Sequence, residues 1–204
     1  MKVLFLLNFF LGVTIGFELL AFTGLKQSGK DTSAYFMIKN YNYTKLSFAS
    51  PLKSAVKDIF DLTDEQVDGS KKDVIDNFWN VTPRSILNFV GTDLLRNQLK
   101  TIIPKVDNNI WLVIMTKKIK KLKEKDPNIK IVITDLRFHN ELLMIKRLDG
   151  IVIRINRNIL YNDEYESERY IKSLNVDYEF ENNGTIDDLY KKLRDYFEYN
   201  FYVL

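Results

Sequence analysis

The chain has 204 residues, 46% hydrophobic and 28% charged, with a net charge of +3, enough for one compact α/β domain with a small inserted subdomain. It contains no cysteine and a single histidine, His139, which excludes disulfides, thiol nucleophiles and multi-histidine metal centres and argues against a Ser-His-Asp relay. The near-neutral charge gives no global reason to expect a nucleic-acid or acidic-membrane partner, and the remaining carboxylate, lysine, arginine and hydroxyl groups are the toolkit of phosphoryl transfer.

In chain order, Val3 to Ile15 are apolar apart from Asn8 and Thr14 and follow Lys2, a pattern similar to a secretory signal. Extending that run to Phe22 would reach about the length of a membrane span, at the expense of the strand that follows. Three readings stay open: an N-terminal extension, an upstream start codon that is not used, and a targeting or anchoring signal.

Phe17 to Phe22 predicts a short buried strand with Glu18 as its polar member. Gly24-Leu25-Lys26-Gln27-Ser28-Gly29-Lys30-Asp31-Thr32 then reads as a phosphate-binding loop, and Asp31 to Lys39 as the helix it opens. Strand, glycine loop and helix together turn a weak pattern into a usable one. Glycines let backbone N–H groups approach a polyphosphate, the helix N-terminus adds partial positive charge, and Lys30 can reach the outer phosphates. The position after the lysine, where the strict pattern has Ser or Thr, is Asp31, with Thr32 one residue later.

Lys45 to Phe48 predicts a second strand, and Ser50-Pro51 opens a helix running to Phe60. Asp61 to Trp79 is polar and interrupted and predicts loop with short helix. Thr82-Pro83-Arg84 starts another helix, with Ile86, Leu87 and Val90 on its apolar face, broken by Gly91-Thr92-Asp93 and resumed at Leu94. Trp111 to Lys125 predicts a helix whose six lysines from Lys117 onward form a solvated face, since no aromatics interleave with them. Ile131-Val132-Ile133-Thr134-Asp135 describes a strand buried on both faces, with Asp135 at the carboxyl end where open α/β sheets bind ligands. Arg137 and Glu141 follow it, then an apolar-patterned helix to Leu148; His139 reads as capping or packing. Ile151 to Ile155 is another parallel-type strand. The polar stretch after Asn156-Arg157, up to Ser173, reads as a lid, Asn182-Asn183-Gly184 as a tight turn, and Thr185 as the cap of a last helix buried through Leu189, Leu193, Tyr196 and Phe197.

Four of these elements, Gly24-x-Lys26-x-Ser28-Gly29-Lys30-Asp31-Thr32, Gly91-Thr92-Asp93-x-x-Arg96, Asp135-x-Arg137-x-x-Asn140-Glu141 and Asn182-Asn183-Gly184-Thr185, together resemble the deoxynucleoside monophosphate kinases of viruses and phages. The Gly-Lys-Asp-Thr form of the loop is itself a feature of that family. The likeness runs in order from about residue 18 to the C-terminus. It departs from the family where a His-x-Ser-Glu element of the lid is replaced by Tyr165-Glu166-Ser167-Glu168, and in the residues before Phe17, which have no counterpart.

The resemblance implies a P-loop NTPase three-layer fold of the nucleoside-monophosphate-kinase kind, a parallel sheet with helices on both faces. It implies a kinase domain over 17–204 with a monophosphate-binding subdomain at about 50–110 and a lid at about 157–175, residues 1–16 being extra. The implied reaction is transfer from ATP, with Mg²⁺, to a deoxynucleoside monophosphate for DNA precursor synthesis, in the cytoplasm, on small nucleotide substrates. No stable nucleic-acid or membrane partner is expected, and a homodimer is left open. Gly24, Gly29, Lys30, Asp31 and Thr32 would hold the ATP phosphates, with Asp31 near Mg²⁺ and Arg154 and Arg157 on the transferring phosphoryl group. Lys26, Gly91, Thr92, Trp111, Asp135, Arg137 and Glu141 would line the acceptor site, with Trp111 either stacking on the base or in the core. Lys53, Arg84 and Arg96 would clamp the acceptor phosphate. Lys30, Asp135 and Arg137 are the candidate catalytic residues. A P-loop kinase of another small phosphate ester, such as phosphomevalonate, and a non-catalytic nucleotide-binding protein are the alternatives; a membrane-tethered interaction protein would rest on the N-terminal run alone.

Overall fold

The computed structural model describes residues 17–158 and 166–203; the expectations for residues 1–16 and for Tyr165 fall outside them. The chain divides into two compact units, one built from the described residues up to Leu46 and from Asp126 onward, the other from Ser47–Lys125.

In the first unit, strand β1 (Leu19–Thr23) leads through the glycine loop into helix α1 (Lys30–Tyr41), followed by β2 (Tyr43–Leu46). The second unit holds α2 (Ser50–Phe60), α3 (Asp64–Val67), α4 (Pro83–Asn88), a π-helix over Phe89–Gln98 and α5 (Ile110–Lys125). The chain then returns to the first unit with β3 (Lys130–Ile133), α6 (His139–Arg147), β4 (Ile151–Asn156), α7 (Glu166–Ser173), β5 (Tyr178–Glu181) and α8 (Ile186–Val203).

Among the described residues, five strands form one sheet in the order β2-β3-β1-β4-β5, and each neighbouring pair is parallel. The near-continuous apolar strands at its centre are what burial on both faces requires. Side chains alternate across the sheet: Leu20, Phe22, Val132, Ile153 and Ile155 pack with Ala34, Phe36 and Met37 of α1 and Leu189, Leu193 and Phe197 of α8. The opposite face meets α6, where Ile145 and Leu19 both crowd the bare Cα of Gly150. Helices on both faces of a parallel sheet give the three-layer P-loop NTPase fold. Its strand order reverses at β1, which places the glycine loop at the sheet's topological switch point.

The second unit has its own core of Val56, Leu62, Val67, Ile86, Leu87 and Val90. Among the described residues no helix is long and apolar enough to cross a membrane.

Three local expectations are corrected. β2 starts at Tyr43 instead of Lys45, because Asn42 ends α1 in the left-handed region (φ 57°) and the Tyr43 ring is buried, its hydroxyl donating to the Phe17 carbonyl at 2.6 Å. Gly91-Thr92-Asp93 does not break the helix; the backbone widens to a π-helix, and the Gly91 carbonyl accepts from the Trp111 indole N–H at 3.1 Å. Glycine is needed there, since a Cβ would stand 2.5 Å from the Leu52 side chain. The third correction is β5, which the sequence reading passed over: only Phe180 of its four residues is buried, so it carries no apolar run.

Candidate active site

The phosphate loop begins where β1 ends. Gly24 has φ 144°, and a Cβ on it would lie 2.4 Å from the Ile155 carbonyl oxygen, so only glycine passes between the two strand ends. Gly29, at φ 103°, caps α1; its Cβ would stand 2.4 Å from Nδ2 of Asn182. Between them the loop is closed by Ser28 N–H donating to Leu25 O at 3.1 Å. Lys30 folds back so that Nζ donates to the same Leu25 carbonyl at 3.0 Å. Ser33 N–H bonds Gly29 O at 2.8 Å and begins the helix.

Around this loop the fold supplies fixed supports. Thr23 Oγ1 donates to Leu136 O at 2.7 Å in the interior, tying the loop's root to the segment that carries Asp135 and Arg137. Asn182 is 5% exposed, and its Nδ2 donates to Ser28 O at 2.8 Å. The Ser28 hydroxyl is buried without a partner among the described residues. Beside the loop lies a cavity of about 360 Å³ lined by Gly24, Leu25, Asn156, Arg157, Asn158 and Ile171 among others, within the range of small-molecule sites.

Asp31 is exposed at the first turn of α1 and pairs with Lys45 at 3.5 Å. Thr32 is half-buried and Lys26 exposed. Arg137 is exposed and Asp135 half-buried at the carboxyl edge of the sheet. In the second unit, Lys53 pairs with Asp68, and Arg84 meets Asp73 through two donors, Nη2 at 2.9 Å. Gly91 is buried, Thr92 exposed and Arg96 half-buried.

Three residues expected at ligands are engaged by the fold itself. Glu141 is 2% exposed, and its Oε2 accepts from the backbone N–H groups of Arg137 and Phe138 at 2.9 and 3.1 Å. Such a carboxylate caps the N-terminus of α6 and sets the course of the Asp135–Arg137 segment. Arg154 donates Nη1 to Glu179 Oε1 at 2.6 Å and Nη2 to the carbonyls of Ile171 and Leu174, which anchors the end of α7, while the same side chain lines the cavity beside the loop. Trp111 is 6% exposed with its N–H on Gly91, so the core alternative describes it.

The sequence reading missed Asn182 as a site residue, treating it as part of a turn. Its place in the Asn182-Asn183-Gly184-Thr185 motif was the available signal; its bond to a residue 154 positions away was not.

A parallel sheet whose central strand feeds a glycine loop onto a helix N-terminus, with a lysine at the helix's first turn, defines a P-loop kinase. The sequence profile of the deoxynucleotide monophosphate kinase family matches residues 18–74 and 64–193. A protein of Acanthamoeba polyphaga mimivirus, assigned as a deoxynucleotide monophosphate kinase, is 39% identical over 180 residues, covering 86% of this chain and 93% of its own. Among solved structures, a dephospho-CoA kinase from Campylobacter jejuni is 14% identical with a TM-score of 0.48, over 90% of this chain and 98% of that one. A shikimate kinase from Aquifex aeolicus is 17% identical with a TM-score of 0.43, over 89% and 96%. The chain belongs to the deoxynucleotide monophosphate kinase family, and its reaction is phosphorylation of deoxynucleoside monophosphates.

Proposed function

We propose that the phosphoryl donor is ATP, that Mg²⁺ accompanies it, and that the loop from Gly24 to Thr32 holds its phosphates. The observation that carries this is the placement of Lys30: its ammonium rests on a carbonyl of the loop it belongs to, a contact it can exchange for phosphate oxygens without moving the backbone. Catalysis of this kind is positioning and charge neutralisation, with no covalent nucleophile to supply. Gly29, Asp31 and Thr32 offer backbone donors at the positive end of α1. The nucleoside part of the donor fits the cavity beside Gly24 and Leu25, with Arg157 in its wall.

Among the described residues no group of three or more His, Cys, Asp or Glu side chains forms a metal centre. Mg²⁺ keeps several waters and takes one or two carboxylates along with substrate phosphates. Asp31 would hold it from the loop side, directly or through water. The ion, when bound, would neutralise charge on the phosphate oxygens.

On the acceptor, Arg137 supplies a forked cation and Asp135 a carboxylate at the sheet edge, with Lys26 from the loop. Lys53, Arg84, Gly91, Thr92 and Arg96 keep the acceptor-binding roles that the resemblance gives them, while Glu141 and Trp111 act as supports and Arg154 holds α7. The lid role stays with about 157–175, of which residues 159–165 lie outside the described ones, and the enzyme works in the cytoplasm. A coupled assay with ATP, Mg²⁺ and a panel of deoxynucleoside monophosphates, ribonucleoside monophosphates and phosphomevalonate tests the reading. Deoxynucleotide-dependent ADP release with at least one deoxynucleoside monophosphate is expected, and its loss on chelation of Mg²⁺. Turnover with phosphomevalonate alone would overturn the acceptor, and none with ATP would overturn the donor.

A further inference from the structure

We infer that Asn182, at the end of β5, is a positioning residue for the phosphoryl donor, acting through the peptide between Ser28 and Gly29. The inference rests on the phosphate-loop reading above and goes beyond it by assigning a residue far from the loop in sequence. In a trans peptide the carbonyl and the next N–H point in opposite directions, and the described chain has no cis bonds. Asn182 Nδ2 holds Ser28 O from the protein side at 2.8 Å. The Gly29 N–H is thereby turned the other way, away from the interior, where a phosphate oxygen at the helix N-terminus would meet it. Releasing Ser28 O would let this peptide rotate, because glycine at position 29 opposes rotation less than any other residue.

The Asn182 amide is itself held. Its backbone N–H donates to Asn156 O at 2.7 Å, and Asn183 Oδ1 accepts from Asn158 N–H at 2.8 Å. The side chain lies against Gly29 so closely that a Cβ there would be 2.4 Å from Nδ2. Burial at 5% exposure keeps water from replacing the amide as donor. A fixed, buried donor aimed at a loop carbonyl is the kind of support that holds a binding backbone in its productive geometry.

The test is steady-state kinetics of Asn182→Asp and Asn182→Ala, with ATP and the deoxynucleotide varied separately, alongside thermal melting. Aspartate keeps the shape but opposes a carboxylate to the Ser28 carbonyl. Both variants are expected to raise KM for ATP by ~10-fold or more and to lower kcat, while KM for the deoxynucleotide stays within about twofold. Alanine should be the milder of the two. Unchanged KM for ATP, or an equal rise in both KM values, would make Asn182 scaffold and overturn the assignment. So would a failure of both variants to fold. Absence of turnover in the wild-type protein in the same assay would instead count against the donor reading on which the inference stands.

Discussion

Lys30 and Arg137 lie on different segments of the carboxyl edge, and the chain treats them differently. Lys30 makes a half-buried bond to Leu25 O that contributes little to the folded state, so Lys30→Ala should leave the melting temperature almost unchanged. It should lower kcat by more than ~10-fold, about 1.4 kcal/mol of barrier; a variant retaining more than about a tenth of wild-type kcat would remove the loop assignment. Arg137 is held in place by its backbone, since its N–H donates to the buried Glu141 while the side chain is exposed. An exposed ion pair is worth about 0–1 kcal/mol, and a lysine would serve nearly as well in one. If the guanidinium positions the acceptor, lysine lacks the planar fork. Arg137→Lys should then cost on the order of 2–4 kcal/mol in kcat/KM with ATP affinity preserved. Kinetics at saturating ATP with varied deoxynucleotide decide it, and wild-type kcat/KM would make the motif scaffold. Both residues stood out in the sequence because each sits at a fixed offset from a strand end. Glu141 stood beside them, but its burial beneath two backbone N–H groups depends on how the turn into α6 folds.

Elements here are held at their ends. α8 begins with Thr185, whose N–H and hydroxyl both donate to Asp188 Oδ2 at 2.9 and 2.8 Å, while Asp188 N–H donates to Thr185 Oγ1 at 3.2 Å. The backbone and hydroxyl bonds from Thr185, helped by Lys192 and Lys191, lower the Asp188 carboxyl below its ordinary value of 3.8. A depressed carboxyl stabilises the fold above its unfolded value and stops doing so as pH falls through its folded value. Asp76, lowered chiefly by the Trp79 backbone N–H, acts in the same direction. Asp188→Asn should therefore flatten the loss of melting temperature with acid below 3.8, with little change in that slope at neutral pH. An acid limb identical to that of the wild type would mean that the cap carries no linkage. Thr185 as a cap was legible because capping is a local exchange of bonds. β5 was not: one buried residue in Tyr178–Glu181 has no periodicity, and the strand exists because β4 offers it a ladder.

At the scale of the whole molecule, ligand binding to the first unit should appear as stability. A ligand that binds only the folded state, at about 100 times its Kd, adds about 2.7 kcal/mol. Each kcal/mol raises the midpoint by about 2–4 °C in chains of this size, so ATP should raise it by about 5–10 °C in wild type and far less in Lys30→Ala. Far-UV circular dichroism is the suitable probe, because both tryptophans, Trp79 and Trp111, lie in the second unit, Ser47–Lys125. An equal shift in both proteins would place the nucleotide elsewhere.

By itself the sequence determined the phosphate loop, the buried parallel strands, the helix caps at Thr82 and Thr185 and the family, because each is written in neighbouring residues whose spacing the backbone geometry reads directly. The cap it offered at Ser50 is not one, since Ala49 precedes the helix there without a side-chain bond. Only the tertiary structure decided strand order, the edge strand β5, the shift of β2 to the buried Tyr43, and the engagement of Arg154 and Glu141 within the fold. It alone brought Asn182 to Ser28, 154 positions away. The reason is physical: a buried donor or carboxylate is satisfied by whatever the packed elements bring beside it, and that neighbour is set by sheet topology, which no local pattern encodes.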